Sequence, residues 1–313
     1  MKMKKLAFWG CLALIWSLAA SGLWAAQLGS EAQVVIPGSA QQIISVKYSR
    51  LQDPMVQPIL QQVMPGGIAR INAIITQAGL RPRDVRRVDF ATFSLRKGLG
   101  MITVLEGNFL HFDRARFFQP TKKQPRPPHF LGVHYYTTGG WDVYLPDNTT
   151  LVAGSLPELR QSIRAEQSAI PNLEANDRMS SLISGTQDTD AWSVLDASGA
   201  RNVMMSLAGA QGKLGALLGN QFRGARYTLD FSDGVKLNLE VVARDSMAAA
   251  TLSTGLQAAL LYRAASEPNP MLKNLLGQVQ VDSAGRHVFL QVSSPENQLA
   301  EIVNSPLFHS IMR

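Results

Sequence analysis

The chain has 313 residues, a formal net charge of +7 at pH 7 and a single cysteine, Cys11. Because the remainder of the chain has no thiol, disulfides, thiol catalysis and zinc sites built on thiolates are excluded there. The length is sufficient to bury the core of one large domain or of two ordinary ones.

The first 26 residues have the pattern of an export signal. MKMKK carries three lysines and precedes an uncharged apolar run that ends in small residues. We predict either a cleaved signal peptide over residues 1–26 or an uncleaved inner-membrane anchor formed by residues 6–26, since about 20 apolar residues can span a bilayer. Either outcome places the protein in the periplasm or cell envelope of a bacterium. Without those lysines the net charge is +4, which suits loose contact with anionic lipid or polymer and is poor support for nucleic-acid binding.

Residues 33–168 form the first predicted α+β half. Alternating apolar residues predict strands, and apolar residues with a 3.6-residue period predict helices. In chain order these patterns give a strand at 41–51, helices at 54–64 and 68–79, a hairpin at 85–110, strands at 130–136, 141–146 and 149–154, and a helix at 156–167.

The polar segment 169–187 is predicted to connect this half to a second α+β half at 188–313. The turn Ser232-Asp233-Gly234 is a strong hairpin signal in that half. In chain order the second half is predicted to contain a strand at 190–197, a helix at 201–221, a hairpin at 224–245, helices at 246–266 and 269–277, a hairpin at 278–292 and a final helix at 295–305.

Hairpins dominate both halves, which predicts the α+β class with mainly antiparallel sheets and helices packed on one face. Each half ends with a strand that leads into serine, proline, glutamate and a helix, at 155–158 and at 294–296. This recurrence suggests a duplicated, pseudo-twofold unit. The elements follow in a different order within the two halves, however, so duplication stays one of two open interpretations.

Ser155 follows a predicted strand and precedes a helix, a position where nucleophilic serines and phosphate-binding loops also occur. The Gly-x-Ser-x-Gly pattern fails here, since residue 153 is alanine and residue 157 is proline. The spacing to Glu158 is that of a capping box, in which each side chain binds the other residue's backbone N–H. We therefore predict that Ser155 caps the helix and has no catalytic role.

Three of the five histidines, His111, His129 and His134, lie close together in the sequence, beside Asp113 and Asp142. A metal-dependent hydrolase that uses these three histidines is an alternative interpretation, since histidine is the commonest metal ligand. Their spacing lacks the i, i+4 pattern of a helical site. Packed or half-exposed histidines are therefore the preferred interpretation, with no metal and no other cofactor expected.

Glu106 and Glu240 occupy similar positions in the first hairpin of each half, and we interpret both as residues of a solvated strand face. The sequence does not place a nucleophile, a base and an orienting group together. An enzymatic function therefore has no physical support from the residues.

The best binding candidate is the basic loop, residues 114–126. Such a segment suits docking on anionic lipid, on an envelope polymer or on the acidic face of a partner protein. A solvated, proline-rich linker across a sheet edge is the competing interpretation. The loop interleaves cations with aromatic residues: Arg114, Arg116, Phe117, Phe118, Lys122, Lys123 and Arg126.

The order of motifs between Leu131 and Ala197 resembles that of exported bacterial α+β proteins classed as domains of unknown function. HFLGVHYY is followed by WDVYLPDNTTLVAGSLPELRQSI, and then by LEANDRMSSLI and DAWSVLDA. The resemblance covers about a third of the chain and its motifs are architectural. It implies an envelope-located α+β protein, often duplicated, and carries over no activity and no functional residues.

These observations favour a non-catalytic, exported cell-envelope protein. We expect it to bind a partner protein, an anionic envelope polymer or a lipid surface, and not nucleic acid. The apolar, small-residue helices at 201–220 and 246–265 leave a carrier of an apolar ligand as a further alternative.

Overall fold

The computed structural model describes residues 28–54, 57, 66–118, 121–122, 126–138, 140–186, 188–208, 221–232 and 234–295. The predicted signal or anchor, nearly all of the predicted helix at 54–64 and the predicted final helix from residue 296 onward lie outside these ranges. Within them, no helix combines the length and the apolar character that crossing a bilayer requires.

Thirteen strands are formed by the described residues. In chain order they are β1 (Ala40–Lys47), β2 (Val85–Ser94), β3 (Leu99–Gly107), β4 (His129–Phe130), β5 (Val133–His134), β6 (Tyr136–Thr138), β7 (Trp141–Tyr144), β8 (Thr150–Gly154), β9 (Ala191–Asp196), β10 (Phe222–Asp230), β11 (Val235–Ala243), β12 (Gln280–Ala284) and β13 (His287–Ser294).

Helices connect and cover these strands. In chain order the α-helices among the described residues are α1 (Ser30–Val35), α2 (Tyr48–Leu51), α3 (Gly67–Gln77), α4 (Arg114–Phe117), α5 (Leu156–Glu166), α6 (Asp177–Ser184), α7 (Ala197–Ala208), α8 (Ser246–Ser266) and α9 (Pro270–Gln278). Short 3₁₀ turns lie at Pro82–Asp84 and Leu173–Ala175.

Eleven of the strands form one sheet in the order β12-β13-β11-β10-β9-β1-β2-β3-β8-β7-β6. Neighbouring strands in this sheet run antiparallel. Strands β4 and β5 form a separate small hairpin. The predicted α+β class with mainly antiparallel sheet is confirmed.

The sheet repeats one strand order on either side of its centre. Apart from β4, β5 and β6, the first half contributes β1-β2-β3-β8-β7 and the second half contributes β9-β10-β11-β13-β12. In each half the fifth strand therefore lies between the third and the fourth. The halves meet where β1 pairs antiparallel with β9, with Ile44 opposite Ser193. This arrangement is the one that the duplicated, pseudo-twofold interpretation predicts, whereas the division at residues 169–187 stays a prediction.

Two faces of the sheet are distinguished by the alternation of side chains along each strand. Face A carries Val88 and Phe90 of β2, which pack with Ile71 of α3 in one core cluster. Face B carries Ala91 and Phe93, which pack in a second cluster with α1, α5 and α6. Both faces of the first half are thus covered by helices.

The second half is covered differently. Its face A packs against α7 and α8 through a third core cluster that includes Leu195, Val241 and Leu252. On face B, α6 covers β9 and the edge of β10, where Gly224 leaves room for the Leu182 side chain. Farther out on face B the structure describes no covering helix, and there Asn238 and Gln291 are exposed whereas Thr228 is buried.

Three segments differ from the sequence prediction. The predicted strand at 41–51 ends at Lys47, and Tyr48–Leu51 form α2. The run 130–136 is not a single strand, because Leu131 and Gly132 adopt φ values of 49° and 82° and turn the chain between β4 and β5. The predicted connection contains helix α6, which begins where the Asn176 side chain accepts a hydrogen bond from the Met179 N–H at 3.1 Å.

Candidate functional site

An open groove lies on face B of the second half, and we call it the arginine groove. Strands β10, β11 and β13 form its floor and α6 forms one wall. It comprises two adjoining cavities of about 560 and 360 Å³ that share Arg226 and Glu240. Alternation on β10 explains the polar floor: Ala225 and Tyr227 pack into the core on face A, so Arg226 and Thr228 point to face B.

The larger cavity is the cationic end of the groove. Its carboxylates are Asp177 and Glu240, and they are outnumbered by arginines. Because arginine stays charged at every physiological pH, this end of the groove carries a net positive charge. The cations come from α6, from the middle of β10 and from the ends of the floor strands: Arg178, Arg226, Arg223, Arg244 and Arg286.

Backbone pairing fixes the ends of the floor strands that carry these arginines. The Arg244 N–H donates to the Gln221 carbonyl at 2.6 Å, and the Ala243 N–H donates to the Arg286 carbonyl at 2.8 Å. Arg223 lies where the register of β10 shifts, between Phe222 and Gly224. The exposed side chains of these arginines are therefore held at one end of the groove by ordered backbone.

Glu240 organises the centre of the floor. The Arg226 Nε donates to its Oε2 at 2.8 Å, and the His287 Nδ1 lies 2.7 Å from its Oε1. Both carboxylate oxygens are thereby occupied. In the part of the chain that the structure describes, Arg178, Arg223 and Arg286 have no carboxylate partner, so their guanidinium groups are available to a ligand.

The smaller cavity is the neutral end of the groove. Register places Thr228 opposite Asn238, and Asn238 opposite Gln291. The Phe289 ring lies beside this row and is half-buried; it stacks on His287 with a centroid separation of 6.2 Å and an interplanar angle of 14°. This end therefore offers hydroxyl and amide groups next to an aromatic ring.

The composition of the basic loop suggests an exposed docking segment of cations and aromatic residues, but part of the loop is helical and packed. Arg114 and Arg116 lie on α4, and Arg116 pairs with Asp113 at 2.9 Å. Phe117 is buried and stacks on Phe112 with a centroid separation of 5.0 Å. The aromatic residue thus contributes to the core on face A instead of to a docking surface.

The other residues of the basic loop are spread between solvent and core. Phe118 is partly buried against the face A core, while Lys122 and Arg126 are exposed. Lys123 lies outside the described residues. A binding role for this loop stays a prediction.

The histidines proposed as an alternative metal site do not form one cluster in the described structure. His129 and His134 face each other across the β4–β5 hairpin with ring centroids 5.9 Å apart, and His111 lies in the turn after β3. Over the described ranges, no group of three or more His, Cys, Asp or Glu side chains is placed to hold a metal ion.

The interpretation of Glu106 as a solvated residue is wrong. Glu106 is buried on face B of β3, where it accepts hydrogen bonds from the Gly29 N–H and from Arg86, both at 2.9 Å. Next to it lies Asp89, which is fully buried and whose oxygens have no hydrogen-bond partner of good geometry. Burial raises the pKa of Asp89 well above its usual range, and the nearby charge of Glu106 raises this pKa further.

Ser155 lies at the N-cap of α5, where the sequence places it. Its N–H donates to the Glu158 Oε2 at 2.8 Å, in a capping box. The other Glu158 oxygen accepts from the Met101 N–H at 3.2 Å and so ties the helix start to β3. The hydrogen bonds that the structure describes for Ser155 and Glu158 are thus those of a helix cap.

The arginine groove was not among the sequence predictions, because its residues are spread from Asp177 to Gln291 over four separate elements. A signal was present: on β10 and β11 the residues that alternate with those of the face A core are all polar, namely Arg226, Thr228, Asn238 and Glu240. A polar alternate set on two adjacent strands marks a sheet face that no helix covers.

Comparisons with known proteins give a limited result. No protein-family model matches the chain, and no curated protein matches it. Among solved structures the chain is similar to three crystal forms of TP0453, an envelope-associated protein of Treponema pallidum. Forms I, III and IV are 12%, 12% and 10% identical, with TM-scores of 0.47, 0.46 and 0.45. The matches cover 88%, 87% and 90% of this chain and 97%, 96% and 97% of TP0453. We draw no functional inference from a likeness at this level.

Proposed function

We propose that this protein is a non-catalytic cell-envelope protein whose arginine groove binds an anionic group of an envelope polymer or of a partner. The observation that carries the proposal is the excess of arginines over carboxylates in the open groove on face B. The N-terminal export pattern supports the location.

The chemistry of the groove suits recognition of an anion. Guanidinium groups present several N–H donors in one plane and bind carboxylate or phosphate oxygens in pairs. The side chains of Arg223, Arg244 and Arg286 are exposed, so a ligand would meet them without displacing core residues. Exposed charges are screened by salt, and binding should therefore weaken as ionic strength rises.

Titration of the purified exported protein with inorganic pyrophosphate, followed by calorimetry, tests the proposal. We expect the triple variant Arg223→Gln/Arg244→Gln/Arg286→Gln to bind pyrophosphate at least tenfold more weakly than the unchanged protein. These three residues are exposed, so circular dichroism and thermal unfolding should be nearly unchanged.

A matched control removes the same charge from the basic loop. The variant Arg114→Gln/Lys122→Gln/Arg126→Gln should bind pyrophosphate within about twofold of the unchanged protein, because Phe117 of this loop packs on face A of the first half whereas the groove lies on face B of the second. If the loop variant loses binding and the groove variant keeps it, the basic loop is the anion site and the groove proposal fails.

A further inference from the structure

We infer that the ligand of the arginine groove is an acidic saccharide, a sugar chain that carries carboxylate or phosphate groups. This inference rests on the proposed anion-binding function and names the ligand class. It is drawn from the contrast between the two ends of the groove, which are chemically different and share one floor.

The neutral end has groups that match sugar hydroxyls. The Thr228 hydroxyl and the amides of Asn238 and Gln291 can each donate and accept hydrogen bonds. Asn238 and Gln291 are exposed, and the Asn238 Nδ2 makes only a long contact of 3.4 Å to the Thr228 Oγ1. A hydroxyl group can therefore bind these amides without breaking a strong internal bond.

Phe289 adds an apolar surface beside those amides. Its ring is half-buried and its electron-rich face is the kind of surface on which polarised C–H groups pack. One face of a sugar ring presents such C–H groups while its edge presents hydroxyls. The combination of an aromatic ring with amides at its edge is therefore complementary to a sugar ring.

The two ends lie at a distance that one ligand can span. The row of Thr228, Asn238 and Gln291 is separated along the strands from the row of Val242 and His287 by four residues. At about 3.3 Å per residue this spacing is about 13 Å. A single phosphate or lipid headgroup at the cationic end would leave the neutral end empty, whereas a short acidic saccharide contacts both.

The decisive experiment compares trigalacturonate, inorganic pyrophosphate and the neutral maltotriose as ligands of the purified exported protein. We expect the variant Asn238→Ala/Gln291→Ala to bind trigalacturonate at least fivefold more weakly while its affinity for pyrophosphate stays within twofold. Maltotriose, which has no charge for the arginine end, should bind at least tenfold more weakly than trigalacturonate.

The control variant Asn274→Ala/Gln278→Ala removes the same two side-chain types from the exposed side of α9, and it should leave all affinities unchanged. If the unchanged protein does not bind pyrophosphate, the proposed function itself is overturned. Pyrophosphate binding without a trigalacturonate-specific effect of Asn238→Ala/Gln291→Ala would overturn only the saccharide assignment. The acidic peptide hexaglutamate is titrated as well. If it binds as tightly as trigalacturonate, the saccharide assignment is overturned and the ligand is an acidic peptide.

Discussion

The two halves of the sheet share one strand order and differ in what covers them. In the first half, helices close both faces, and face B lies under α1, α5 and α6. In the second half, α7 and α8 pack on face A, and among the described residues an open groove lies on face B of β10, β11 and β13. The described helices thus cover more of face B in the first half than in the second.

A pair of glutamates shows the consequence of this difference. Glu106 and Glu240 both lie on face B of the third strand of their half, and each binds an arginine of the preceding strand. Glu106 is sealed beneath the start of α1, where the Gly29 N–H reaches its carboxylate. Glu240 stands in the groove beside His287. The glutamate is thus more deeply buried in the first half, where 4% of the Glu106 side chain is exposed against 14% of the Glu240 side chain.

Removal of core volume beneath the helices that cover face B of the first half should give the largest loss of stability. Leu159 of α5 is fully buried in the face B cluster. We expect Leu159→Ala to lower the free energy of unfolding by about 2–5 kcal/mol, because it removes buried methyl groups and leaves a cavity. Urea unfolding followed by circular dichroism measures this change.

The matched control is Leu261→Ala on α8, since the Leu261 side chain is 71% exposed. It should change the free energy of unfolding by no more than about 0.5 kcal/mol. Equal losses for the two variants would mean that burial does not explain the loss at Leu159, and the stabilising role assigned to the α5 contact with face B would not hold.

Much of the fold could be predicted from the chain because local signals agree with the final structure. The long helix α8 begins and ends at the predicted residues, 246 and 266, and the predicted hairpin strands β10 and β11 do pair. The capping box at Ser155 is also local, since it needs only residues three apart. Such elements carry their own start and stop signals.

The candidate site could not be predicted in the same way, because it depends on which strands become neighbours. Arg226 and His287 are far apart in sequence, and both contact Glu240 only after β10, β11 and β13 pair. The burial of Glu106 likewise depends on α1 closing over β3. Neither the pairing nor the cover is encoded in a short stretch of sequence.

Asp89, a buried acid on face B of the first half, predicts that the free energy of unfolding depends on pH. Because the pKa of Asp89 is raised by burial and by Glu106, the folded protein binds a proton here more tightly than the unfolded chain does. The contribution of Asp89 to stability is therefore most favourable below its unfolded pKa of about 3.9, and it declines as the pH rises towards the folded pKa. Asp89→Asn should accordingly raise the free energy of unfolding at pH 7, and this gain should shrink as the pH falls towards 4.

Chemical unfolding at several pH values measures that gain. Asp282→Asn, which removes an exposed aspartate from the edge strand β12, serves as the control and should show no such trend. A loss of stability at pH 7 in Asp89→Asn would show instead that the charged carboxylate is held favourably by Arg87.

A substitution in the arginine groove should change the affinity for pyrophosphate more than it changes the free energy of unfolding. Glu240→Gln removes a negative charge from the groove and frees Arg226 and His287 from their shared carboxylate. We expect pyrophosphate to bind roughly fivefold more tightly, a gain of about 1 kcal/mol, because the arginines then face the ligand without an internal competitor. Calorimetric titration gives the affinity, and the exposed Glu174→Gln is the control with the same charge change. Weaker binding by Glu240→Gln would mean that the carboxylate positions Arg226 for the ligand and does not compete with it.

The smallest effect is expected at the N-terminus of α5, one of the helices that cover face B of the first half. Ser155→Ala removes the capping hydroxyl from the N-terminus of α5, while the Ser155 N–H keeps its bond to Glu158. Loss of such a cap costs about 1 kcal/mol or less when the reciprocal half of the box remains. Urea unfolding should register this loss, and pyrophosphate affinity should stay unchanged, since the cap lies in the closed half. A change in anion affinity without a change in stability would contradict both the cap assignment and the division of roles between the two halves.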